Sequence, residues 1–279
     1  MIVLESRSLR LEVRPETGAA VSDLSWRDEG GMWLPVWRRA GASDEGADAM
    51  ACVVLAPWTG RLIGGRIEFA GRRWNLSEGA GGIVKDGAWR VLDRGPRSVR
   101  LEHEVEPGQA GWPWGFVARV RYELVGDRLS AGLEVTSRSS SPMPLGMGFG
   151  PAWNRRVLGD DDRVGLSVAT VSRGRIEIGL QGSMIDECFV SADGAGEIRW
   201  EPGGLRAGWT CTPELSHVSV RTPRGAGSQP VATSFEVHPV SMSPGGFEML
   251  ARAQARGGVA VLQSGETMRG AWSVRVWRE

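Results

Sequence analysis

The stretch FVARVRYELVGDRLSAGLEVTS, residues 116 to 137, decides the fold class. Val120, Tyr122 and Leu124 alternate with Arg119, Arg121 and Glu123, and after Gly126-Asp127 the alternation resumes at Leu129, Ala131, Leu133 and Val135. A period of two puts these apolar side chains on one face of an extended chain. The two-residue Gly-Asp break between the runs predicts an antiparallel hairpin. The same pattern recurs at Leu9, Leu11 and Val13 in SLRLEVRPE and at Val99, Leu101, His103 and Val105 in SVRLEHEVE, with RIEIGL, HVSVRTP and WSVRVW as further short strands. With 40 Gly and 15 Pro in 279 residues, no run shows helical periodicity. The reading is an all-β protein, a large antiparallel β-sandwich.

No repeat or low-complexity linker divides the chain. The small, acidic segment GASDEGADAM at 41 to 50 would isolate only about forty residues, too few for a core of their own. It reads as a loop inside a single domain spanning 1–279. Lys+Arg and Asp+Glu each number 33, with no run of five like charges, which argues against nucleic acid and anionic membrane as partners. The longest apolar stretch, Met50 to Trp58, is too short to cross a bilayer, and the N-terminal residues alternate with charges instead of building a signal core. A cytoplasmic protein, monomer or weak homodimer, is the expectation.

Cys52, Cys188 and Cys211 are widely spaced, with no CxxC pair, and read as buried thiols. No His-rich spacing suggests a metal, and the aspartates of GDDDR, residues 159 to 163, read as a solvated loop. No glycine-rich phosphate loop is present. Tryptophan is abundant, 13 against 6 Phe and 1 Tyr. Most of these rings are expected in the core, with a few available to stack on a sugar.

Four stretches in order resemble the aldose 1-epimerase (galactose mutarotase) family. These are PETGAAVSDLSW near the N-terminus, LAPWTGRLIGGRIEFAGRRWNL at 55 to 76, the segment from Gly111 to Trp153 with its hairpin and MPLG exit, and the C-terminal set MIDECF, FEVHPVSMSPGGF and LQSGETMRGAWSVRV. The resemblance implies a β-sandwich whose concave face holds a hexose, and interconversion of sugar anomers without a cofactor. In that chemistry a base takes the anomeric hydroxyl proton and an acid protonates the ring oxygen, so two proton-transfer groups flank one C–O bond.

The family's proton-transfer positions have changed here. The first histidine place falls on Val84 or Lys85 in GGIVKDGAWRV, the second on Gly150 in MPLGMGFGPAW, and the glutamate before proline is His238-Pro239. Two readings follow. As an enzyme, the chain would use His238 as base, since an imidazole near pKa 6.5 suits neutral pH. The acid would be Lys85 or Asp86, given a lowered Lys85 pKa or a raised Asp86 pKa. As a binding protein, it would keep the sugar cleft without turnover. For binding, the resemblance points to Arg61 and Asp186, and Trp58 is the candidate stacking ring. Glu236, two residues from His238, shares its strand face and can pair with the imidazole. His103 reads as packed core and His217 as a turn residue.

Overall fold

The structure is a computed structural model that describes residues 1–41, 46–76, 79–159, 163–180, 184–223 and 233–279. Asp160, Asp161 and Asp162 of the acidic run, and residues 42–45 of the small acidic segment, lie outside the described residues.

The hairpin forms as its alternation requires. Phe116–Val125 pairs antiparallel with Arg128–Ser137, Leu124 facing Leu129 and Val125 facing Arg128. Gly126 takes a left-handed φ of +61° at the first turn position, the conformation that glycine supplies at least cost in two-residue hairpins. Val120, Tyr122, Leu124, Leu129, Leu133 and Val135 are all buried. Ser98–Val105 extends the hairpin on one side and Thr267–Arg278 on the other, followed by Leu205–Cys211. This makes one layer.

The second layer runs through Ile2–Glu5, Leu9–Arg14, Ala20–Arg27, Cys52–Leu55, Gly148–Asn154, Ser234–Val240 and His217–Arg221. The strand Asp186–Glu201 belongs to both layers. Its residues 186–190 pair with His217–Arg221, and residues 195–200 pair with Leu205–Cys211. Gly194 makes the crossing, at φ +67° with its missing Cβ only 2.7 Å from the Cys211 carbonyl oxygen. Among the described residues one curled antiparallel sheet of 17 strands results, beside two small two-stranded sheets.

The core lies between the layers and is built of rings. Trp37 of the second layer's edge stacks on Trp272 of the first, centroids 5.8 Å apart and planes within 3°. Phe149 lies 5.8 Å from Trp272, and Trp153 lies 6.3 Å from Trp200. Ten of the thirteen tryptophans are buried, so most of this aromatic area drives folding and is not spent on ligand. Among the described residues one short α-helix, Gly246–Ala251, departs from the all-strand reading. Six residues span under two turns, too short for a period to register. No helix among the described residues is long and apolar enough to cross a membrane.

Candidate functional site

The cleft floor is a set of strand rungs. Asp186 pairs with Arg221, Arg221 with Glu236, and Glu236 with Ala152. One step along, Cys188 pairs with Ser219 and Ser219 with His238. Gly150 sits at the level of His238, and its missing Cβ would be 3.6 Å from the imidazole Cε1 and Nε2. That is ordinary van der Waals distance, so Gly150 lies directly against the imidazole. Pleating turns Ser219, Arg221, Glu236 and His238 to one face, into a cavity of about 650 Å³. Arg61, Lys85 and Asp186 line the same cavity, as do Arg38, Asp48 and Thr59. An adjoining lobe of about 850 Å³ shares Arg61, Lys85 and Asp48 and is also lined by Trp58 and Asp86.

On the floor, Arg221 donates from Nε and Nη2 to Glu236 Oε2 and Oε1 at 3.0 and 2.9 Å. The same Oε2 lies 3.5 Å from His238 Nε2, and the His238 side chain is 20% exposed. Burial lowers the His238 pKa below its ordinary value; Glu236 opposes that shift and Arg221 adds to it. A shift in that direction favours the uncharged imidazole, the form able to accept a proton. Arg221 moves the other way, raised chiefly by its hydrogen bonds to Glu236.

On the wall, Lys85 lies in the short 3₁₀ turn Val84–Asp86. Gly18 and Gly82 place that turn. Gly18, at φ +63°, has its missing Cβ 2.0 Å from the Lys85 carbonyl oxygen, and its N–H donates to Gly87 O at 2.8 Å. The PETGAA segment thus braces the loop that carries the lysine. The Lys85 side chain is 11% exposed, and its ammonium donates to Asp86 Oδ1 at 2.8 Å and lies 3.5 Å from Asp48 Oδ1. Burial pulls its pKa down, but Asp86 and Asp48 more than offset that, and the net shift is upward. This is opposite to the lowering that easy proton release near neutrality would need; the two carboxylates are the reason.

The structure therefore brings Arg61, Lys85, Asp186, Glu236 and His238 into one cleft. Asp86 stands in the adjoining lobe as a partner of Lys85. Trp58 does not offer a stacking face. Its ring is 1% exposed and packs 5.7 Å from Trp112, so it belongs to the core. His217 is not a turn residue but the buried first residue of a strand, with Nδ1 2.9 Å from Ser216 Oγ and Nε2 3.2 Å from the Arg256 carbonyl oxygen. His103 is half-buried beneath Trp89, its Nδ1 2.9 Å from the Ala88 carbonyl oxygen.

Sequence reading missed Arg221, Ser219, Arg38 and Asp48. The alternation in HVSVRTP puts Ser219 and Arg221 on one face, but not which strand lies beside them. Arg38, whose Nη2 donates to the carbonyls of Asp48 and Met50, reaches the cleft from a loop and carries no periodic signal. All three cysteines are free thiols; burial pushes Cys188 and Cys211 up to about 12. Among the described residues no group of three or more His, Cys, Asp or Glu is arranged to hold a metal ion.

A cleft of this kind on a curled antiparallel sheet invites comparison with known proteins. Residues 2–171 match the family described as aldose 1-epimerase. The chain belongs to that family. A curated relative, the uncharacterized protein YphB of Escherichia coli K12, is 27% identical over 158 residues, covering 53% of this chain and 50% of the relative. The match thus spans about half the length of that relative. Among solved structures, an E. coli protein described as a putative aldose 1-epimerase superposes with a TM-score of 0.77 at 20% identity, over 99% of this chain and 98% of the other. An aldose epimerase homologue from C. elegans gives 0.78 at 13% identity over 99% and 98%. A galactose mutarotase-like protein from Clostridium acetobutylicum gives 0.78 at 15% identity over 99% and 95%. At such identities these superpositions establish the fold, the galactose mutarotase-like β-sandwich.

Proposed function

We propose that this aldose 1-epimerase family protein interconverts the anomers of a free or modified monosaccharide, with His238 as the general base. The observation that carries this reading is the His238 imidazole lining one cavity with Arg61 and Lys85, beside Glu236, in surroundings whose burial lowers its pKa. His238 accepts the proton of the anomeric hydroxyl as the ring C–O bond breaks. Lys85 serves as the hydrogen-bond donor to the ring oxygen. Its raised pKa keeps the ammonium intact, and an alkoxide leaving from carbon is far more basic than an amine, so donation to it remains downhill. After the carbonyl rotates, the steps reverse and both groups return to their starting states. Arg61 and Asp186 hold hydroxyls, donor against acceptor.

A second reading rests on Lys85 and Gly150. A lysine held by two carboxylates and a glycine where the family resemblance places a histidine are what a cleft retaining sugar without turnover would show. Anomer exchange followed by NMR with neutral, acidic and phosphorylated sugars separates the two. Acceleration over the uncatalysed rate, reduced about 100- to 10,000-fold in His238→Ala but kept in His103→Ala, is the expected outcome. Saturable sugar binding with no acceleration would overturn the enzymatic reading and leave the binding one.

A further inference from the structure

The floor contains a cation that the ring-opening scheme leaves unused. Arg221 stands directly opposite Glu236 in the strand ladder and holds both of its carboxylate oxygens, at 3.0 and 2.9 Å. One of these, Oε2, is also the oxygen 3.5 Å from His238 Nε2. A single carboxylate is thus shared between a guanidinium and the base. A carboxylate gripped at one oxygen can rotate about its terminal torsion; one gripped at both by a planar fork cannot.

We propose that Arg221 is a positioning residue that acts through Glu236, fixing the carboxylate plane against the imidazole and neutralising enough of its charge that His238 stays free to accept a proton. The inference rests on the assignment of His238 as base. Without Arg221, an unneutralised carboxylate would face the ring in a partly desolvated site and favour the imidazolium, a base already occupied. The electrostatics run in that direction: after burial, Glu236 and Arg221 are the two influences on the His238 ring, and they oppose one another.

The other charged or titratable groups around the cleft do not substitute. Asp186 lies opposite Arg221, so it adds to the demand on that cation. Cys188, opposite Ser219, is pushed up to about 12 by burial and stays uncharged. Lys85 is engaged by Asp86 and Asp48. Arg38 is tied to backbone carbonyls, and Arg61 makes no hydrogen bond or ion pair to Glu236 or His238, whose contacts are to Arg221 and to each other.

The test is an NMR titration of the His238 ring in wild type, Arg221→Gln, Arg221→Lys and Glu236→Gln, paired with the pH profile of anomer exchange. Arg221→Gln should raise the His238 midpoint by about one pH unit and carry the acid limb of kcat/KM upward with it, KM changing less than kcat. Arg221→Lys restores the charge without the fork, so the midpoint should return towards wild type while kcat stays several-fold low. Glu236→Gln should move the midpoint below wild type. The His217 signal, tied to Ser216 and Arg256, should stay in place throughout.

A folded Arg221→Gln protein with wild-type midpoint and pH profile would overturn the proposal. If that variant does not fold, a Glu236→Gln midpoint equal to wild type overturns it equally. A wild type that binds sugar without exchanging anomers overturns the base assignment and this proposal together. Exchange by wild type with an unmoved midpoint in Arg221→Gln overturns this proposal alone.

Discussion

The two sides of the cleft are built by different means. The floor takes Asp186, Arg221, Glu236 and His238 from three adjacent strands, and the ladder fixes which side chain stands beside which. The wall takes Arg61 and Lys85 from loops whose backbones approach too closely for a Cβ. Gly82, at φ +80°, has its missing Cβ 1.9 Å from the Ala56 carbonyl oxygen, and Gly18 meets Lys85 in the same way. Floor geometry thus follows from a period of two plus register, and wall geometry from steric fit between main chains. A floor side chain can be changed without moving the main chain around it; a wall glycine cannot.

The sharpest way to break that contrast is one added methyl group on each side. Gly82→Ala forces a left-handed alanine into a carbonyl, and a loss of about 2–4 kcal/mol is expected. Gly150→Ala on the floor needs only a small shift of the Val53 Cγ2 methyl, 3.0 Å from the new Cβ, and should cost about 1 kcal/mol or less. Urea midpoints at unchanged slope measure both. Equal losses would mean that the wall is no less forgiving than the floor.

The contrast also explains what could be read from the sequence. The strands were legible because Leu9, Leu11 and Val13, or the residues flanking Gly126-Asp127, each state their face locally. Glu236 and His238 were legible as a pair for the same reason. Arg221 was not, because its relation to Glu236 is a register between strands, and register is not written in either strand alone. The crossing at Gly194 was hidden too, since a glycine within a long strand gives no notice of which carbonyl it approaches. Trp58 was misjudged because a ring beside a loop arginine has the same composition signal whether it faces the cleft or Trp112. The lowered pKa expected at Lys85 fails first on Asp86, the adjacent residue whose side-chain direction the sequence does not state, and then on Asp48, 37 residues away and brought near only by the fold.

The proposed scheme divides labour between one residue on each side, Arg61 of the wall for binding and His238 of the floor for reaction. Arg61→Ala should weaken sugar affinity about tenfold, the worth of one charge-assisted hydrogen bond, while kcat at saturation stays near wild type. His238→Ala should do the reverse. Calorimetric titration against saturating anomer exchange separates the two. An Arg61→Ala variant that loses kcat as His238→Ala does would place the wall arginine at the reacting atoms and end the division.

The smallest expected effect compares His238 with His217, two histidines on neighbouring strands of the floor. Burial lowers both pKa values, but His217 has both ring nitrogens bonded and His238 has an open face. A depressed folded-state pKa means that the unfolded chain binds the proton more readily. The contribution is therefore fully present above the unfolded value, about 6.5, and is lost as pH falls from there through the folded values. Urea midpoints should be flat from pH 8 to 7 and decline between about pH 6.5 and 5. That window lies above the range where Glu102, lowered by Arg119 and Arg90 against its own desolvation, gives up its share. His217→Gln and His238→Gln should each flatten part of the decline. A decline removed entirely by His217→Gln would show that the cleft's open face already relieves His238 of its burial, and that the floor's base is held neutral less firmly than its structural neighbour.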